Sequence, residues 1–292
     1  MASRGRNVYP AVMHTQDEIV GRALESGMRR PVDPALRALN ANLVFWLAMF
    51  MASALGTNLG DVWADEVGLQ HMTSFGIPVV LCGAVIWADR RFAARTEVFY
   101  WLAIIGLRMG ATNLGDLLTH DLSLSYPLVA LALGALTLLA ARFTQVRAGS
   151  DSPLVDGWYW VAMLLAGVFG TVGGDLAAHT IGIYGALALL AVALLSILVA
   201  RRRYFPTAVL GYWCVVLAER CAATPAGDAL ASRHAAALGL PLAVASTASL
   251  FGAALLWRWR SEAARQLTVH AGCSATAALR PLIVAWESYL ER

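Results

Sequence analysis

Four stretches decide how this chain folds: WLAMFMASALGTNLGD at 46–61, WLAIIGLRMGATNLGD at 101–116, WVAMLLAGVFGTVGGD at 160–175 and WCVVLAERCAATPAGD at 213–228. They align without a gap. In each, Trp stands fifteen residues before Asp, Thr four before it and Gly directly before it, giving W-x10-T-x2-G-D. Four identities at fixed offsets in four copies exceed what a biased composition produces, so the chain carries a tandem internal repeat.

Outward from these stretches the chain is apolar. It is 59% hydrophobic and 14% charged over 292 residues, with a mean hydropathy of +0.61. That is more apolar surface than one water-soluble core of this length buries. Uncharged runs cover Ala38 to Gly60, Met72 to Ala88, Leu122 to Ala141, Gly157 to Gly174, Thr180 to Ala200 and Ala235 to Trp257, and about 20 apolar residues suffice to cross a bilayer. Val98 to Gly115 and Tyr204 to Gly227 have the same character but hold Arg108 in the first and Glu219 with Arg220 in the second. The expected fold is therefore an all-α membrane protein of eight transmembrane helices, built from four parallel two-helix repeats. Repeats are expected over 39–90, 91–148, 149–203 and 204–260, between an N-terminal segment 1–38 and a C-terminal segment 261–292.

Charge placement sets the expected orientation. Arg90, Arg91, Arg95, Arg142, Arg147 and Arg201 to Arg203 fall in alternate connections, and both tails are Arg-rich. The other connections, such as DVWADEVGLQH and DLLTHDLSLS, are acidic or carry histidine. By the positive-inside rule both termini face the cytoplasm, and a bacterial origin makes this an inner-membrane protein. The Arg-rich start is not a cleavable signal peptide, so no cleaved leader is expected. The net charge of +3 reports topology and gives no case for nucleic acid. Amphipathic tail segments, such as Leu282, Ile283, Val284, Trp286 and Leu290 beside Glu287 and Glu291, are expected on the cytoplasmic membrane surface.

The motif resembles a family of bacterial integral membrane proteins made of four tandem repeats of unknown function, each with two spans and a characteristic tryptophan. The resemblance covers roughly residues 40 to 257 and implies architecture without an activity. Because each repeat holds an even number of spans, all four enter the membrane in the same direction. Five residues before Asp the order is Gly56, Ala111, Gly170, Ala223, and eight before it Ser53, Arg108, Gly167, Arg220. Repeats one and three match, as do two and four, which predicts a pseudo-twofold relation laid over an approximate fourfold one.

At about 100° per residue, Thr, Trp and the Arg position fall on the same side of the helix as Asp, roughly 40°, 60° and 80° away. The small residue five before Asp and Gly60, Gly115, Gly174 or Gly227 form the small-xxx-small spacing that lets helices approach closely. Trp46, Trp101, Trp160 and Trp213 read as an interfacial aromatic belt or as a cytoplasmic gate. Asp61, Asp116, Asp175 and Asp228 read either as helix caps or as a ring that attracts cations. Thr57, Thr112, Thr171 and Thr224 either bond back to a helix or line a polar path with Arg108, Arg220 and Glu219. His71, His120, His179 and His234, one in each outer connection, are candidate external metal contacts, since imidazole with carboxylate suits first-row divalent ions.

The expected function is a transporter or channel for a small cation, a divalent metal first, moved along the Asp/Thr/Arg stripe. The alternative is a membrane scaffold or sensor in which the motif serves helix packing and capping. No nucleophile recurs beside the His and Asp positions and no nucleotide-binding loop appears, so neither an enzyme nor a bound cofactor is expected. Cys82, Cys214, Cys221 and Cys273 have no paired spacing. The expected partners are the bilayer and the cation; oligomeric state is not readable.

Overall fold

Every repeated stretch is helical. The computed structural model describes residue 39 and residues 41–66, 71–92, 97–146, 152–205, 207–231 and 239–261, all within one unit, Arg37–Arg292. In chain order the helices are α1 (Leu43–Asp61), α2 (His71–Phe92), α3 (Val98–Asp116), α4 (Tyr126–Ala141), α5 (Gly157–Tyr204), α6 (Ala208–Ala231) and α7 (Leu240–Ser261). No strand occurs among the described residues beyond an isolated bridge between Val146 and Pro153. The cytoplasmic tail segments expected from the sequence lie outside the described residues.

Local chemistry sets the helix starts. The Asn42 side chain accepts a hydrogen bond from the Phe45 amide at 2.8 Å, and Asp156 accepts one from the Tyr159 amide at 2.7 Å, each satisfying a donor that the first turn leaves open. The far ends differ from the capping expectation. After Asp61 and Asp116 the chain continues into single π-helical turns, Val62–Glu66 and Leu117–Asp121. Asp175 and Asp228 lie inside α5 and α6. The α-helical pattern thus gives way to a π turn at two of the Gly-Asp pairs and runs on past the other two.

α5 contains the spans expected at 157–174 and 180–200 without a loop between them. The only non-helical residue within it is Gly182, at φ 77°, ψ 159°, a conformation open to glycine and strained for residues with a Cβ. The Arg201 guanidinium reaches the Ala41 carbonyl at 3.0 Å and lies 5.3 Å from the centre of the Trp46 ring. Trp46 in turn packs on Tyr212 and Tyr212 on Tyr159. Residues near 159 and near 201 therefore occupy the same end of the bundle, and the chain reverses at Gly182.

α1, α3, the first arm of α5 and α6 form the interior. α1 touches α3, α3 touches α5, α5 touches α6 and α6 touches α1. The other helices pack outside: α2 on α3, α4 on α5 and the second arm of α5 against the start of α6. α7 is tied on by Arg258, which forms two 2.8 Å bonds with the Glu97 carboxylate and lies over the Phe45 ring.

Polarity is distributed inside out. Leu128, Leu131, Val192, Leu195, Val199, Val80 and Leu250 on the outer helices are exposed, whereas Ser53, Thr57, Asn58, Arg108, Asn113, Glu219 and Arg220 are buried. A water-soluble bundle has the reverse arrangement; an apolar exterior over a polar, hydrogen-bonded interior is what a hydrocarbon solvent selects. Three of the described helical segments, Leu43–Ala64, Gly157–Arg201 and Leu240–Ser261, are long and apolar enough to cross a membrane.

Candidate functional site

The interior is a stack of side-chain layers, and each of the four motif stretches supplies a residue to each. Neighbours interlock through the Gly before Asp. A Cβ placed on Gly60 would stand 3.0 Å from Thr112 Cβ, on Gly115 2.9 Å from Thr171 Cβ, on Gly174 2.6 Å from Thr224 Cβ, and on Gly227 3.5 Å from Thr57 Cβ. Each glycine receives the threonine of the next repeat, and the last receives that of the first. These are the four glycines that the sequence reading assigns to helix packing.

The Trp end is a closed aromatic layer. Trp46, Trp101, Trp160 and Trp213 are buried, so the interfacial-belt reading is corrected: these rings face protein. The reason is the residue before each one, Phe45, Tyr100, Tyr159 or Tyr212, all at most 1% exposed. Trp101 packs on Phe45 at 5.6 Å, Trp160 on Tyr100 at 5.8 Å, Trp213 on Tyr159 at 5.5 Å and Trp46 on Tyr212 at 5.2 Å. Tyr100 and Tyr159 share a hydroxyl hydrogen bond of 2.7 Å, and Tyr159 and Tyr212 one of 3.0 Å. The sequence reading missed this layer; extending the alignment one residue before Trp reveals an aromatic in every copy.

Next come Met49 and Met163, then the arginines. Arg220 donates to Ser53 Oγ, and its Nη2 lies 3.5 Å and 3.0 Å from the Met49 and Met163 sulfurs. Glu219 Oε2 is 3.5 Å from Arg220 Nε, an ion pair in which both side chains are 1% exposed. Arg108 donates to the Gly167 carbonyl at 2.5 Å and to the Thr171 and Thr224 hydroxyls at 2.8 and 2.6 Å. The two arginines share a motif position but not a set of partners: Arg108 bonds the Gly167 carbonyl and Arg220 the Ser53 hydroxyl.

The threonines serve this interior. Thr57, Thr112 and Thr224 donate to carbonyls four residues back, at 3.1, 3.2 and 3.3 Å. Thr171 and Thr224 also accept from Arg108. All four are buried.

At the opposite end from Trp lie the aspartates, each partly exposed. Each follows a glycine that packs on the threonine of a neighbouring helix, which sets Asp116, Asp175 and Asp228 at one level of adjacent helices. His120 Nδ1 is 3.6 Å from an Asp116 carboxylate oxygen. The Tyr126 hydroxyl meets His120 Nε2 at 3.1 Å, and its ring packs on His179 at 5.4 Å. His179 Nδ1 lies 2.8 Å from the Asp175 carbonyl. Two of the four candidate histidines thus meet across Tyr126; the side chain of His71 and all of His234 lie outside the described residues. Among the described residues, no group of three or more His, Cys, Asp or Glu side chains converges as a metal site.

No family model, curated protein or solved structure matches the chain.

Proposed function

We propose that this chain is a bacterial inner-membrane protein with both termini cytoplasmic. Its eight spans come from four two-helix repeats of the resembled family, and it moves a small cation along the axis of its four inner helices. The cation enters at the Asp end and the aromatic layer of Phe45, Tyr100, Tyr159 and Tyr212 holds the other end shut. The observation that carries this reading is the Gly-to-Thr interlock, which sets Asp116, Asp175 and Asp228 at one level of adjacent helices, beside a buried polar stripe. A cluster of carboxylates concentrates and selects cations, and charged residues buried between apolar helices are costly enough to mark pathways.

A divalent metal is the first candidate, with His120 and His179 at the mouth and water completing its coordination. Purified protein in proteoliposomes is the test, with Mn2+ and Na+ uptake measured separately. Replacing Asp175 or Asp228 by Asn is expected to cut flux of one of these ions about tenfold, the loss expected when a contact of about 1.4 kcal/mol is removed. Unchanged flux in all four single Asp-to-Asn variants would overturn the proposal.

The scaffold reading keeps one specific support, the interlock of each Gly with the next Thr. Under it, Asp-to-Asn changes leave every solute response intact and glycine replacements dominate.

A further inference from the structure

At the Trp end of the bundle a cavity of about 600 Å³ lies between the last turn of α4, the stretch that follows it and the first turns of α6. Leu138, Val146, Val209 and Leu210 make its walls apolar, and its size falls within the range of ligand sites, roughly 300–1,000 Å³. Two polar groups border it. Arg142 is exposed, and among the described residues its side chain has no acidic partner. Trp213 is 0% exposed, and its indole N–H has no hydrogen-bond partner among the described residues. Trp101, at the same motif position, gives its N–H to Glu97 Oε2 at 3.1 Å; the Trp46 N–H is also unpaired but lies away from this cavity. A buried N–H without an acceptor is costly where water does not reach, so Trp213 calls for one.

The depth in the membrane is marked as well. Beside Arg142, Phe143 packs on Trp158 at 4.9 Å and both rings are exposed, as aromatic residues are at the headgroup boundary. The cavity also borders the first turn of α6, where the helix dipole favours negative charge. We infer that this cavity holds one anionic phospholipid, its phosphate on Arg142 and the start of α6 and an acyl chain along Leu138, Val146, Val209 and Leu210. An ester oxygen accepts the Trp213 N–H. A basic residue at a recess between helices selects such headgroups by charge. The inference rests on the membrane placement proposed above and is independent of cation movement.

The test is native mass spectrometry of purified, delipidated full-length protein, titrated separately with phosphatidylglycerol, phosphatidylcholine and inorganic phosphate. Phosphatidylglycerol is expected to bind at one site about tenfold more tightly than phosphatidylcholine, and Arg142→Gln to abolish that preference, the loss expected when one hydrogen bond to a charged group is removed. Trp213→Phe is expected to weaken both lipids about threefold. Arg260→Gln is the control: Arg260 is exposed on α7, two residues past Arg258, and its loss should leave the preference intact. Equal binding of the two lipids by the wild type overturns the inference, as does a preference lost alike in Arg142→Gln and Arg260→Gln. So does inorganic phosphate that binds as tightly as the lipid. An Arg142 that only complements the carbonyl end of α4 would keep the preference in Arg142→Gln and lower the melting temperature alone, which also overturns it. Should Trp213→Phe not fold, Arg142→Gln, at an exposed position, decides. Each of these results leaves the cation reading standing.

Discussion

Gly170→Ala is expected to lower the melting temperature of the purified protein by about 10 °C, the equivalent of about 3 kcal/mol of overpacking in a chain of this size. The added Cβ would sit 2.5 Å from Arg220 Cβ, 2.7 Å from the Arg220 carbonyl carbon and 2.8 Å from its oxygen. Two of these atoms are backbone, so no side-chain rotation relieves the overlap and α5 must move away from α6. That shift would also strain the Thr224 hydroxyl's 3.0 Å bond to the Gly170 carbonyl. Gly252→Ala in α7 is the control: its Cβ would meet nothing within 4 Å, and alanine improves helix propensity. A melting temperature for Gly170→Ala equal to that of the control would contradict the close approach of the two helices.

Glu219→Leu is expected to destabilise by about 3–5 kcal/mol, because it leaves Arg220 as a buried charge without its ionic partner. The hydrogen bond to Ser53 and the sulfur contacts with Met49 and Met163 are neutral and do not replace a carboxylate. The double variant Glu219→Leu with Arg220→Leu removes both charges and should recover most of the loss. Thermal unfolding of the wild type, both single variants and the double variant closes the cycle. A double variant less stable than Glu219→Leu alone would show that Arg220 matters through its other contacts.

What the sequence made legible was set by periodicity. The helical character of all four motif stretches and the close approach at Gly60, Gly115, Gly174 and Gly227 follow from spacing along single helices. What it hid depends on how helices turn toward one another. Trp46 to Asp61 gives no hint that Trp46 rests on Tyr212, because that contact closes the ring from the last repeat to the first. The different partners of Arg108 and Arg220 were equally invisible, the Gly167 carbonyl for one and the Ser53 hydroxyl for the other. The loop expected after Asp175 was a failure of a different kind: its polar residues DLAAHT mimic a connection, yet they continue the helix, and one glycine at 182 makes the turn.

The Gly-to-Thr interlock runs head to tail and returns to its start, so each inner helix has already used the surfaces by which it could grip another. Among the described residues, the surfaces left for a second copy lie on the outer helices, away from the interlocked faces. Under the proposed function, the conduction axis then belongs to one polypeptide. In membranes holding a mixture of active and inactivated chains, activity should fall in simple proportion to the inactive fraction, with no poisoning of one subunit by another.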